Sequence, residues 1–161
     1  MVVLLMGVAG SGKTTIGRRL AAELGWDFAD ADEFHPPANV AKMSAGIPLD
    51  DTDRAPWLAA IRAYLDRQHA AGRNAVVTCS ALKERYRTVL LGGPAPVKLV
   101  YLKGTAEVLW SRISRREGHF MKPAMLASQL AAIEEPADAL VIDIAQPPEQ
   151  IIAVLRRAVS P

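Results

Sequence analysis

The chain has 161 residues, half of them apolar and 22% charged, which argues for one domain around one hydrophobic core. A formal net charge of +2, with no long basic block, argues against a nucleic-acid-binding protein. The single cysteine, Cys79, rules out an intrachain disulfide and a Cys-rich zinc site, and it fits a reducing cytoplasm. In chain order, the opening apolar run Met1–Met6 stops at Gly7. It is too short for a membrane span and lacks the basic leader of a signal peptide, so it reads as a buried strand. A helix is predicted from Lys13, burying Ile16, Leu20 and Leu24 and stopping at Gly25. The next strand is predicted at Trp26–Ala29. A helix follows that starts near Pro56, buries Leu58, Ile61 and Leu65, and ends before Gly72. Strands at Ala75–Thr78 and Val97–Leu102 flank the loop Gly92-Gly93-Pro94-Ala95-Pro96.

Thr105 then caps a helix that buries Val108, Leu109 and Ile113 and ends in Arg115, Arg116 and Gly118. The remaining elements are a helix over Ala124–Glu134, a strand at Leu140–Ile142, and a last helix from Pro147-Pro148 carrying Ile151, Ile152, Leu155 and Val159. Apolar strands alternating with amphipathic helices predict an α/β fold of three layers, a five-stranded parallel sheet flanked by helices.

The segment Gly7-Val8-Ala9-Gly10-Ser11-Gly12-Lys13-Thr14 fits G-x-x-x-x-G-K-[ST] without mismatch, between a predicted strand and a predicted helix. The glycines let backbone N–H groups turn toward phosphate oxygens. Lys13 brings a cation to the β- and γ-phosphates, the Thr14 hydroxyl is a Mg²⁺ ligand, and the helix aims its positive end at the anion. Thr15, in the first turn, completes the candidate nucleotide-binding set. These features predict a P-loop protein that uses ATP and Mg²⁺. Neither N-K-x-D nor D-x-x-G occurs, which argues against a regulatory GTPase, and no L-S-G-G-Q-like signature is present. Leu140-Val141-Ile142-Asp143 has the form of a Walker-B strand but lies near the C-terminus, and Ala75–Thr78 has the position but ends in Thr78 and Cys79, so the acid must come from elsewhere.

Asp30 and Asp32, just after the second strand, are the best source, because ligands of open parallel sheets bind beyond the carboxyl ends of the strands. One carboxylate can hold Mg²⁺ while the other accepts the proton of an attacking hydroxyl. A helix cap with a solvated charge pair explains the same spacing. Arg112, Arg115 and Arg116 fit either a mobile cationic lid over about residues 112–135 or a favourable charge cluster at a helix C-terminus.

Several stretches together resemble the bacterial gluconokinase family of small P-loop kinases, related to shikimate and adenylate kinases. They are Met6–Lys13, Asp30-Ala31-Asp32 with His35-Pro36, Asn39, Lys42-Met43, Gly46–Leu49 and Asp51–Leu58. The match continues through Cys79–Lys83, Tyr86-Arg87, Tyr101–Gly104, Arg116–Phe120, Gln129 and Glu135-Pro136. The resemblance implies transfer of the ATP γ-phosphoryl group to the 6-hydroxyl of D-gluconate, giving 6-phospho-D-gluconate and ADP. It implies Asp32 as base or hydroxyl anchor, Asp30 as a Mg²⁺ support, and Lys13 and Arg116 as catalytic cations. Arg54 is the candidate fork for the substrate carboxylate. His35, Lys42, Ser80, His119 and Gln129 are candidate hydroxyl partners, with Asn39 of the same chemical kind. Arg112 is placed at the nucleotide, and by analogy with related kinases Gln146 borders the adenine. Trp57 and Cys79 read as packing residues. Ala31 stands where the family often has Gly, and Glu33 where it is often apolar.

The implied partners are gluconate and ATP, with neither nucleic acid nor membrane, in the cytoplasm. The family is often a homodimer, but no dimer surface is legible in the sequence. A kinase of another small hydroxy acid, shikimate-like, or of a nucleoside is the alternative enzyme reading. A nucleotide-binding regulator without turnover is the alternative of another class.

Overall fold

The computed structural model describes residues 1–115 and 123–160. Five strands form one parallel sheet in the order β2-β3-β1-β4-β5. They are β1 (Val2–Met6), β2 (Asp27–Asp30), β3 (Ala75–Thr78), β4 (Val97–Lys103) and β5 (Leu140–Asp143). The helices among the described residues are α1 (Lys13–Leu24), α2 (Pro37–Ser44), α3 (Asp51–Ala70), α4 (Glu84–Leu91), α5 (Ala106–Ser114), α6 (Pro123–Ala132) and α7 (Pro148–Val159). None is long and apolar enough to cross a membrane.

The central strands β1 and β3 are buried along their whole length because both faces of the sheet are covered there. In β1, Val3 and Leu5 pack with Ile16 and Leu20 of α1, Leu109 and Ile113 of α5, and Ile151 and Leu155 of α7. Val2, Leu4 and Met6 point the other way, toward Trp57, Leu58, Ile61 and Leu65 of α3 and Tyr86 and Leu90 of α4. The side-chain period of two along one strand thus builds both core layers. Burying a Leu or Ile fully contributes about 1.5–3 kcal/mol, so the central strand anchors both.

Two elements differ from the sequence expectation. The α3 helix begins at Asp51, not near Pro56, and Pro56 lies inside it. Asp50 accepts from the Asp53 N–H at 2.8 Å, and Asp53 accepts from the Asp50 N–H at 3.1 Å. This reciprocal cap starts the helix upstream. Its buried face of Trp57, Leu58, Ile61 and Leu65 continues through the proline, which itself faces solvent. The strand expected at Trp26–Ala29 runs one residue later and ends on Asp30. The short helices α2 and α4 carried too few turns to show a stripe.

The α1 helix lies close against the sheet. A β-carbon at Gly17 would stand 2.8 Å from the Thr78 methyl and 2.9 Å from the Phe28 ring. We predict that Gly17→Ala lowers stability by about 1–3 kcal/mol through overpacking. Urea denaturation checks this, and an unchanged midpoint would contradict the close seating.

Candidate active site

The phosphate-binding loop is built by what its backbone must do. Gly10 and Gly12 have φ of +80° and +88°, a region that disfavours side chains. The loop is also crowded, since a β-carbon at Gly7 would lie 2.9 Å from the Leu102 carbonyl oxygen. Gly12 is the N-cap of α1 and offers no capping side chain, so the positive end of the helix faces the loop. The Lys13 Nζ donates to the Gly7 and Val8 carbonyls at 2.8 and 3.2 Å. These contacts hold the cation over the loop, where an incoming phosphate can take it.

A cleft of about 290 Å³ opens above the loop. Ala9, Gly10, Gly12, Lys13 and Thr14 form one wall, and Asp30, Asp32, Ser80 and Gln129 stand among the others. The carboxyl ends of three adjacent strands, β2, β3 and β1, therefore meet here, as expected for an open parallel sheet. Gly7, Val8, Ser11 and Thr15 do not line it. The Ser11 N–H is spent on the Val8 carbonyl at 3.2 Å, its side chain is buried beneath the loop, and Thr15 faces solvent.

Asp30 ends β2 and caps the short 3-10 turn Ala31–Phe34, accepting from the Asp32 N–H at 3.0 Å. The Trp57 indole donates to the Ala31 carbonyl at 2.7 Å and pins the peptide between the two aspartates. Asp32 opens to solvent at the mouth of the cleft, while protein surrounds its other sides. That partial loss of water raises its pKa above the ordinary carboxylate value, and the neighbouring Asp30 charge adds to the rise. His35, in whatever fraction is protonated, and Lys13 oppose it.

His35, Lys42 and Arg54 lie outside the cleft walls, in a network beside Asp32. The His35 ring stacks on Trp57, with centroids 4.4 Å apart and planes 10° apart. The Asn39 amide donates to the Asp53 carbonyl at 2.9 Å and to His35 Nδ1 at 3.2 Å. The first contact orients the amide, so the second requires an unprotonated Nδ1 and leaves the proton on Nε2. Lys42 is committed to the Asp53 carboxylate at 2.8 and 2.9 Å and so braces the start of α3. Arg54 donates from Nη1 to the Leu49 carbonyl at 2.8 Å and the Tyr86 hydroxyl at 3.2 Å, with its guanidinium over the Tyr86 ring.

In the turn that follows β3, Ala81 adopts φ of 45°, a left-handed conformation uncommon for alanine. The buried Arg87 holds this turn, donating to the Ala81 and Glu134 carbonyls. The sequence offered Arg87 only as part of a resemblance, because a buried arginine is not visible in a pattern. Gln129, expected at the substrate, places its side-chain carbonyl on the Ala9 N–H at 2.8 Å and links α6 to the loop. Arg112 donates to the Ile144 carbonyl, and its Nη1 is 3.7 Å from where a Gly12 β-carbon would stand. Gln146 donates to the Asp143 carbonyl at 3.0 Å, in the turn after β5. The Cys79 thiol is buried, which pushes its pKa up to about 12 and leaves it a packing group. Arg116 and His119 lie outside the described residues.

Burial, foremost, lowers the His35 pKa below its ordinary value of 6.5, and Arg54 lowers it further against the opposing pull of Asp32. The unfolded chain then binds the proton more readily than the folded one, so His35 contributes instability below pH 6.5 that disappears as pH rises. An NMR titration of the imidazole C–H signal, assigned by its loss in His35→Gln, should give a midpoint below 6.5. A midpoint at or above 6.5 would contradict the neutral, Asn39-held ring.

The shikimate kinase family model matches residues 9–156. A gluconokinase of Gluconobacter oxydans is 52% identical over 136 residues, covering 84% of this chain and 76% of the relative. A gluconokinase structure from Sinorhizobium meliloti superposes with a TM-score of 0.84 at 41% identity, covering 98% of this chain and 92% of the other. An unliganded sugar kinase from Janibacter sp. HTCC2649 gives 0.87 at 50% identity, covering 97% and 92%. With its loop, paired aspartates and parallel sheet in place, the chain belongs to the gluconokinase family of shikimate-kinase-like P-loop kinases.

Proposed function

We propose that this protein transfers the γ-phosphoryl group of ATP to the 6-hydroxyl of D-gluconate, giving 6-phospho-D-gluconate and ADP. The observation that carries the chemistry is the placing of Asp32 in one cleft with Lys13 and Thr14. A carboxylate with a raised pKa is suited to take the proton of an alcohol as its oxygen attacks phosphorus. The oxygen–phosphorus bond forms as the bond from the γ-phosphorus to the bridging oxygen breaks, and that electron pair leaves on ADP. Lys13 follows the charge that gathers on the phosphoryl oxygens. Arg54, one side of its guanidinium already fixed by Leu49 and Tyr86, is preorganised to receive the sugar-acid carboxylate. His35 offers an Nε2–H donor to a hydroxyl.

Magnesium fits the donor set. The Thr14 hydroxyl and the Asp30 carboxylate are hard oxygen donors in the same cleft. Among the described residues no group of three or more His, Cys, Asp or Glu could hold a metal ion. An ion there would thus be shared with phosphate oxygens and water, the manner in which Mg²⁺ is commonly held. When bound it neutralises charge on the β- and γ-phosphates. A buried, unreactive Cys79 as the sole cysteine supports a cytoplasmic setting.

ADP release from Mg·ATP should be stimulated by D-gluconate and not by shikimate, a nucleoside monophosphate or buffer alone. Stimulation by shikimate or the nucleotide above gluconate would overturn the substrate. Asp32→Asn should reduce kcat about a hundredfold or more while ATP affinity changes little. Weakened ATP binding with an unchanged kcat would remove Asp32 from the chemical step.

A further inference from the structure

Thr78 ends β3, and it is 1% exposed. Its hydroxyl has no hydrogen-bond partner among the described residues, although leaving a buried hydroxyl unpartnered is costly. Ser11 Oγ is in the same condition, but Ser11 lies under the loop and does not border the cleft, whereas Thr78 does. The Thr78 methyl faces α1 at Gly17, and the residue itself borders the cleft.

Its register decides what it could serve. Thr78 pairs with Asp30 on β2 and with Leu5 on β1, just before the phosphate loop. Residues paired across a parallel sheet share a face, so Thr78 and Asp30 sit side by side on the face that α1 covers. Thr14, in the first turn of α1, completes the group, and all three line one cleft. The end of this strand is where a P-loop protein commonly presents its metal-associated acid. Here that position holds a neutral hydroxyl, and the charge comes from the adjacent strand.

We infer that the Thr78 hydroxyl is an outer-sphere positioning group for Mg²⁺, accepting a hydrogen bond from a water of the hydrated ion that Asp30 and Thr14 help hold. The metal-binding function of the strand end is thereby divided between two neighbouring strands, with Asp30 supplying charge and Thr78 orientation. Mg²⁺ keeps several of its waters when bound, and a neutral hydroxyl acceptor would suit one of them. The inference rests on reading the cleft as a Mg²⁺–nucleotide site.

The test is calorimetric titration of ADP into the full chain at a series of Mg²⁺ concentrations, comparing the native protein with Thr78→Val and Thr78→Ser. The Mg²⁺ concentration giving half the gain in ADP affinity should rise about tenfold in Thr78→Val and stay near native in Thr78→Ser. ADP affinity without metal should be the same in all three. If Thr78→Val does not fold, Thr78→Ala carries the same comparison. A native Mg²⁺ dependence in the hydroxyl-free variant would overturn the assignment of Thr78 and leave the kinase reading untouched. An ADP affinity indifferent to Mg²⁺ in the native protein would sink both.

Discussion

The structure depends on how closely the phosphate loop and α1 are seated against the strands of the sheet. No side chain could occupy Gly7 without meeting the Leu102 carbonyl, and none could occupy Gly17 without displacing Thr78 or Phe28. These contacts seat α1 so that its positive end and Lys13 face outward along the strand direction, beside the ends of β2 and β3. Buried Leu20 and Ile16 hold the helix there against Val3, Leu5 and Leu155. An anion site made of backbone needs this rigidity, because misplaced amides lose their hold on a phosphate over a fraction of an ångström.

Around that fixed point the remaining parts are set by single bonds between elements distant in sequence. Trp57 on α3 pins the peptide between the aspartates and stacks on His35, so one buried indole contacts both the turn that carries Asp32 and the His35 ring. Arg87 ties the turn after β3 to the end of α6, and Glu134 returns an N–H to the Leu82 carbonyl at 2.8 Å. Gln129 joins α6 to the phosphate loop. The α6 helix and the residues just after it are thus connected to both walls of the cleft.

Much of this was legible in advance where local chemistry decides. The phosphate loop follows from its glycines and Lys13. The sheet follows from runs such as Val2–Met6, whose every residue is buried. Asp30 and Asp32 stand beside the loop because strand ends converge in this kind of sheet, and Asp30 is also the cap that the alternative reading required. What escaped depends on tertiary contacts. Pro56 suggested a helix start because a proline at the first turn is common, yet the Asp50–Asp53 cap lay upstream. Lys42 was chemically suited to a substrate hydroxyl, but its partner is Asp53, a residue with no periodic relation to it. Thr78 looked like the lack of an acid, and only its pairing with Asp30 gives the hydroxyl a context.

The central claim is that one cleft brings the acceptor hydroxyl to Asp32 and the phosphate to Lys13, with the sugar-acid carboxylate held toward Arg54. A crystal structure with ADP, Mg²⁺ and D-gluconate tests it most directly. The account predicts the 6-hydroxyl within about 3 Å of an Asp32 carboxylate oxygen, a distance fit for proton transfer, and the gluconate carboxylate on Arg54. Gluconate bound with its carboxylate at the phosphate loop, or with its 6-hydroxyl away from Asp32, would contradict it.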